Sequence, residues 1–96
     1  MMNRFIIFAG VLAFASPVGA QQMQCADRAT VVQLLTGQFS EVPASAGLAP
    51  AGLVELWVSP IGTWTLTLTT PRGATCLVAS GTEWGPMAAV ARKPNL

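Results

Sequence analysis

The sequence predicts an α+β domain in which one N-terminal helix packs on a four-stranded antiparallel β-meander and a single disulfide ties the two layers together. Three observations predict this fold class. Pro-x-Gly triplets at 50–52, 60–62 and 71–73 divide the middle of the chain into short segments, an apolar stripe with helical spacing precedes them, and two cysteines flank the region. We expect the domain to span residues 21–85, between a signal peptide at 1–20 and a flexible tail at 86–96.

The first twenty residues have the pattern of a secretory signal peptide. Arg4 precedes an apolar run at 5–15, and Ser16-Pro17 leads to the small-residue end Val18-Gly19-Ala20. The run is short for a membrane span, which needs roughly 20 apolar residues. We therefore expect cleavage after Ala20, with an uncleaved anchor as the alternative. A cleaved chain would be periplasmic or secreted, without stable insertion in a membrane.

The next segment predicts one helix, beginning near Ala26 and ending between residues 35 and 38. Asp27 is placed to cap or complement its amino end, and Gly37 is a plausible stop signal. One side of the helix would carry the apolar stripe Cys25, Ala29, Val32, Leu35 and Phe39. This stripe needs a partner, which the sheet supplies.

The three Pro-x-Gly triplets predict hairpins with a fixed strand register. Proline presets φ for the first central position of a type I turn, and glycine takes the left-handed conformation that follows, which gives a three-residue loop with a bulge. The predicted pairs are Leu48–Val54, Ala46–Leu56 and Ala44–Val58, then Val58–Trp64, Leu56–Leu66 and Val54–Leu68, and finally Leu68–Cys76, Leu66–Val78 and Trp64–Ser80. Each hairpin places bulky apolar residues on one face, and we expect the helix to cover that face.

The opposite face, expected to point outward, is where function could be carried. It holds a ladder of threonines, which strands favour in any case, together with large apolar groups that would mark an interface if uncovered. The candidate interface residues are Trp57, Leu77, Leu53, Glu55, Thr65 and Thr67. As an alternative, the tail residues Trp84 and Met87 would cover Trp57 and Leu77.

The two cysteines, Cys25 and Cys76, predict one permanent disulfide. Small exported domains commonly need such a bridge, and an oxidising compartment maintains it. A redox role is disfavoured because the cysteines are far apart in the sequence and lack Cys-x-x-Cys spacing.

Signals for chemistry are mainly absent from the sequence. The chain has no histidine and no tyrosine, and its carboxylates are scattered, so we expect no enzymatic activity and no catalytic, cofactor-binding or metal site. After removal of residues 1–20, four basic residues balance four acidic ones: Arg28, Arg72, Arg92 and Lys93 against Asp27, Glu41, Glu55 and Glu83. This neutral charge predicts no nucleic-acid partner.

One set of residues between positions 25 and 84 resembles a family pattern. It consists of Cys25, the helix with Arg28, Glu41, the run Gly62-Thr63-Trp64-Thr65, Pro71 with Gly73, Cys76, and Gly81 with Glu83 and Trp84. On these residues the chain resembles a group of small secreted proteins of Gram-negative bacteria. The resemblance implies a periplasmic domain with one disulfide and implies no particular biochemical role.

Two functional hypotheses follow from the sequence. The first is a non-enzymatic periplasmic binding or adaptor module that contacts another cell-envelope protein through the outward sheet face or through an exposed sheet edge. The alternative is a small-ligand carrier or envelope stress-protection protein with a cleft between helix and sheet, lined by Trp64 and Phe39. Against this alternative, a two-layer domain of this size leaves little room for a pocket of about 300 Å³.

Overall fold

A computed structural model describes residues 23–93 of the chain. The expected signal peptide at 1–20 and its cleavage site lie outside the described residues, as do residues 94–96. In chain order, the elements are β1 (Gln24–Asp27), α1 (Arg28–Gln38), β2 (Val42–Ala49), β3 (Gly52–Val58), β4 (Trp64–Thr69), β5 (Ala74–Gly81) and α2 (Met87–Val90). Within these residues, five strands form an antiparallel sheet in the order β1-β5-β4-β3-β2.

The predicted four-stranded fold class is wrong, because the residues around Cys25 form a fifth strand. Strand β1 pairs with β5, and Cys25 lies directly opposite Cys76 in the ladder. The disulfide between these two cysteines is confirmed. It joins neighbouring strands of the sheet, whereas we expected it to join helix and sheet. The described chain is therefore a mostly β domain with a single helix of more than one turn.

The helix begins where β1 ends, with no connecting residue. Asp27 is the last residue of β1 and also the N-cap of α1, and its carboxylate accepts hydrogen bonds from the Thr30 hydroxyl at 2.8 Å and the Thr30 backbone N–H at 3.2 Å. These two bonds favour the ionised carboxylate and lower the pKa of Asp27 below its ordinary value. Asp27 therefore caps the helix as predicted, from the position immediately before its first residue.

The end of the helix differs from the expected stop at Gly37. The helix continues through Gly37 to Gln38, and the chain turns at Ser40, which has a left-handed φ of 54°. The backbone N–H of Glu41 then donates to the carbonyl of Leu35 at 2.9 Å. This turn carries Glu41 back toward the underside of the helix.

The two hairpins around residues 60–62 and 71–73 have the predicted three-residue loops. In the first, the Gly62 N–H donates to the Ser59 carbonyl at 3.0 Å, and Gly62 has a φ of 93°. The second repeats this geometry at Gly73, whose φ is 98° and whose N–H donates to the Thr70 carbonyl at 2.8 Å. The ladder between β3 and β4 pairs the residues that we predicted: Val58–Trp64, Leu56–Leu66 and Val54–Leu68.

Two parts of the predicted register are wrong. The loop before β3 contains two residues, so Leu48 and Ala46 lie opposite Leu53 and Glu55, one residue from their predicted partners, and a bulge at Ala44 leaves Val58 opposite Val42. Strand β5 contains a bulge at Val78, because Thr67 faces Leu77 while the preceding Leu66 faces Ala79. The bulge moves Val78 and Ser80 out of their predicted pairings, because an extra residue on one strand displaces all pairs beyond it.

The helix covers the face of the sheet that we expected to point outward. The core consists of Val31, Leu35 and Trp57, with Ala26, Val32 and Leu77 packed against it. Trp57 is only 1% exposed. The predicted register correctly grouped the residues of β3 and β4 by face, but the assignment of the helix to the more apolar face is wrong.

The segment after β5 folds back along the loop at 60–62. The backbone N–H of Trp84 donates to the carbonyl of Gly62 at 3.0 Å, and Lys93 pairs with Glu83 at 2.7 Å. The four-residue helix α2 lies in the part of the chain that we expected to be flexible, and Met87 on it is exposed. Trp57 is thus covered by α1 and not by this tail.

We predict that reduction of the Cys25–Cys76 disulfide destabilises the domain strongly. The bridge spans 51 positions, and a loop of this length is worth about 4 kcal/mol on the chain-entropy model, comparable with the whole stability of a small domain. Urea denaturation with and without a reducing agent, followed by tryptophan fluorescence, measures the loss. The Cys25→Ser/Cys76→Ser double variant should match the reduced protein, and an unchanged urea midpoint in either sample would refute the prediction.

Candidate functional site

The face of the sheet away from α1 carries a continuous apolar ridge. Its residues lie on the two central strands and are half-buried by their lateral neighbours: Val54, Leu56, Val58, Trp64, Leu66 and Leu68. Small residues flank this ridge, with Ser45 and Gly47 opposite β3 on one side and Ala79 and Gly81 opposite β4 on the other. We call these six large side chains the open face.

One end of the open face is bounded by two tryptophans. The rings of Trp64 and Trp84 lie 5.3 Å apart at an interplanar angle of 59°, and the Trp64 indole N–H donates to the Thr82 carbonyl at 3.2 Å. Gly81 makes this position of Trp64 possible, because a Cβ atom there would lie 2.9 Å from the indole ring. The tail residue Trp84 therefore covers a corner of the open face.

The opposite face contains a polar layer beneath α1. Arg28 forms a two-point ion pair with Glu55, with nitrogen–oxygen distances of 2.5 and 3.0 Å, and its Nη1 also donates to the Thr69 hydroxyl at 3.4 Å. The Thr69 and Thr75 hydroxyls are 2.8 Å apart. The guanidinium carbon of Arg28 also lies 5.9 Å from the ring centre of Trp57, which is within cation–π range.

Two buried threonines, Thr67 and Thr75, have hydrogen-bond partners in this layer. Thr67 has no exposed surface and its hydroxyl accepts a hydrogen bond of 3.0 Å from the Trp57 indole N–H. The hydrogen bond from Arg28 to the Glu55 carboxylate raises the pKa of Arg28 above its ordinary value. The Glu55 carboxylate is paired and Arg28 is fully charged, so neither offers a free group for acid–base chemistry. We therefore interpret this layer as structural.

A cleft opens between the carboxyl-terminal end of α1 and the sheet. Its volume is about 360 Å³, and its walls include Leu34, Phe39, Glu41, Trp64 and Ser80. The volume exceeds the limit that we inferred from the size of the domain. Phe39 and Trp64, which we named for such a cleft, both line it.

Glu41 is the chemically distinctive group in this cleft. Its side chain is 2% exposed, and its Oε1 atom is buried without a hydrogen-bond partner among residues 23–93. From the sequence, Glu41 was one of the scattered carboxylates and had no predicted role. Burial of a glutamate cannot be read from composition, since the turn at Ser40 determines where its side chain goes.

The edges of the sheet differ in how they are protected. Strand β2 forms one edge, is exposed throughout, and is interrupted by a bulge next to Pro43, which are features that discourage pairing with another chain. On the other edge, β1 ends opposite Leu77, so Val78–Gly81 has no outer strand partner within the described residues. This second edge lies beside the cleft.

The structure places every residue of the sequence-predicted interface on the helix side of the sheet. Trp57, Glu55, Thr65 and Thr67 are buried, and Leu77 packs against the core. Leu53, opposite Thr69 on the same face, is half-buried. The open face was not predicted to be a surface, because its residues were assigned to the core.

Within residues 23–93, no group of three or more acidic, cysteine or histidine side chains could hold a metal ion. No helix in the same range is long and apolar enough to cross a membrane. The disulfide fits an extracellular or periplasmic environment.

Comparison with known proteins identifies no relative. No family model, no curated protein and no solved structure matches the chain.

We predict that Arg28→Ala destabilises the domain by about 2 kcal/mol, because it leaves the Glu55 carboxylate, whose side chain is 9% exposed, without its cation. Urea denaturation gives the change in the free energy of unfolding. Arg72→Ala removes an exposed arginine from a turn and is the matched control, expected to change stability by less than about 0.5 kcal/mol. Equal effects of the two substitutions would show that the ion pair contributes nothing specific.

Proposed function

We propose that this protein is a non-enzymatic binding or adaptor module that attaches to another cell-envelope protein through the open face. The observation that carries the proposal is the ridge of six large apolar side chains on a sheet face that has no helix packed on it within the described residues. Contiguous apolar surface of this kind marks interfaces in small proteins.

The size of the face indicates the kind of interaction. Five strands spaced about 4.8 Å apart and about six residues long give a face of roughly 500 Å², so a complementary partner would bury about 1,000 Å² in total. This total is at the lower limit for a specific interface and is typical of transient contacts. We therefore expect an association of modest affinity that depends on the ridge.

The shape of the open face favours a different protein as the binding partner over a second copy of this chain. Large side chains on β3 and β4 stand above flanking positions occupied by Ser45, Gly47, Ala79 and Gly81. Two such ridges placed face to face would leave the flanking positions unfilled. An apolar groove on another protein would fill them, and packing density is what makes an apolar interface stable.

A second route to the same kind of partner is addition of a strand at the unpaired edge of Val78–Gly81. Strand addition draws its affinity from backbone hydrogen bonds and is compatible with contact on the adjacent open face. We expect the protein to be located in the periplasm or at the cell exterior, since disulfides persist in oxidising compartments of this kind. The apolar pattern at 1–20 supports export to that compartment.

We predict that a photoreactive amino acid at position 66, in the centre of the ridge, captures a heavier protein in living cells. The matched control is position 48, where Leu48 is 89% exposed but lies on the edge strand away from the open face. Capture at 66 and none at 48 is the expected result, detected as a larger species on a denaturing gel and identified by mass spectrometry.

The captured protein must then bind in purified form. Leu56→Ser removes apolar area from the ridge, and we expect it to weaken binding about tenfold or more while circular dichroism shows an intact fold. Three outcomes would contradict the proposal: equal capture at positions 48 and 66, an adduct composed of two copies of this chain, or unchanged affinity of the Leu56→Ser variant.

A further inference from the structure

The cleft under the carboxyl-terminal end of α1 has the properties of a binding site that borders the open face only at Trp64. It lies on the helix side of the sheet, has a volume of about 360 Å³, and is walled mainly by apolar side chains from α1 and from strands β4 and β5. Ligand pockets for small molecules begin at about 300 Å³ and combine apolar walls with a few polar groups.

The polar group that sets the chemistry of this cleft is the Glu41 carboxylate. Its Oε1 atom is buried and has no hydrogen-bond partner among the described residues. A buried charged oxygen without a partner is energetically costly, and such atoms in folded proteins are normally paired. The structure thus leaves one strong acceptor available in a largely apolar space.

The surroundings of Glu41 do not neutralise its charge. None of the described side chains that line the cleft is basic, and Arg28 and Lys93 are paired with Glu55 and Glu83. Glu41 also lies three residues after the last residue of α1, close to the carboxyl-terminal end of the helix, which carries partial negative charge. Both features make the cleft favourable for a cation that can donate hydrogen bonds.

We propose that this cleft binds a small organic ammonium compound, with its charged nitrogen on Glu41 and its apolar body between Leu34, Phe39 and Leu77. The ammonium group supplies both the positive charge and the N–H donors that Oε1 lacks. The apolar walls select an alkyl or aryl body over a bare inorganic cation, and the ring of Phe39 favours a ligand with its own ring. Ser80 provides a hydroxyl at the rim for a further polar contact.

Phenethylammonium is a suitable probe, because it joins one ammonium group to one aromatic ring. We expect it to change the tryptophan fluorescence saturably, since Trp64 lines the cleft. The neutral analogue phenethyl alcohol has nearly the same shape but no charge. We expect the alcohol to bind at least about tenfold more weakly, because a hydrogen bond to a charged group is worth more than one between neutral groups.

Glu41→Gln tests the role of the carboxylate at nearly constant size. We expect this variant to lose at least about tenfold in affinity for phenethylammonium and to bind the alcohol as the unaltered protein does. Glu83→Gln, at an exposed carboxylate outside the cleft, is the matched control and should bind both probes normally. Urea denaturation checks folding, and Glu41→Gln is expected to be at least as stable as the unaltered protein because it removes an uncompensated buried charge.

Two results would overturn the proposal: equal affinity of the unaltered protein for the ammonium and the alcohol, or equal affinity of Glu41→Gln and the unaltered protein for phenethylammonium. The comparison of the two probes needs no variant, so it remains decisive if Glu41→Gln fails to fold. Failure here is distinguishable from failure of the proposed adaptor function, since that function is measured by capture at position 66 on the other side of the sheet.

Discussion

The architecture depends on the burial of Trp57 beneath α1. This side chain is the largest in the core, and Val31 and Leu35 of the helix pack on it while its indole N–H is satisfied by Thr67. Because one helix can cover only one face of the sheet, the choice of the Trp57 face leaves the ridge of leucines and valines without a helix. The feature that stabilises the domain is thus the feature that creates its exposed apolar surface.

The covered face is more polar than the open one, which is unusual for a domain core. Four of its buried residues, Glu55, Thr65, Thr67 and Thr75, are polar or charged. Their burial is tolerated where partners are present: Arg28 for Glu55, the Trp57 indole for Thr67, and Thr69 for Thr75. Burial of these paired groups costs little, whereas Glu41 lies outside the network and keeps an unpaired oxygen.

The sequence predicts the central hairpins of this fold but not its first strand or its covered face. The loops ending at Gly62 and Gly73 and the whole ladder between β3 and β4 follow from the turn chemistry of Pro-x-Gly. Strand β1 could not be recognised, because it is four residues long and gains its pairing from the disulfide and from β5. The covered face was assigned wrongly, because register determines which residues share a face but not which face is buried. Burial of the polar face depends on the paired hydroxyls and the ion pair, which are contacts between residues far apart in the sequence. The candidate site at Glu41 was missed for the same reason, since its burial follows from the turn at Ser40.

The direct passage from β1 into α1 has a mechanical consequence. Asp27 belongs to the ladder and to the helix cap at once, and the neighbouring disulfide fastens β1 to β5, so the amino-terminal end of the helix is anchored to the sheet. The other end passes through only three residues, including the left-handed Ser40, before the chain enters β2 at Val42. The helix therefore connects the two edge strands of the sheet, β1 and β2, and it cannot move away from the Trp57 face without disturbing one of them.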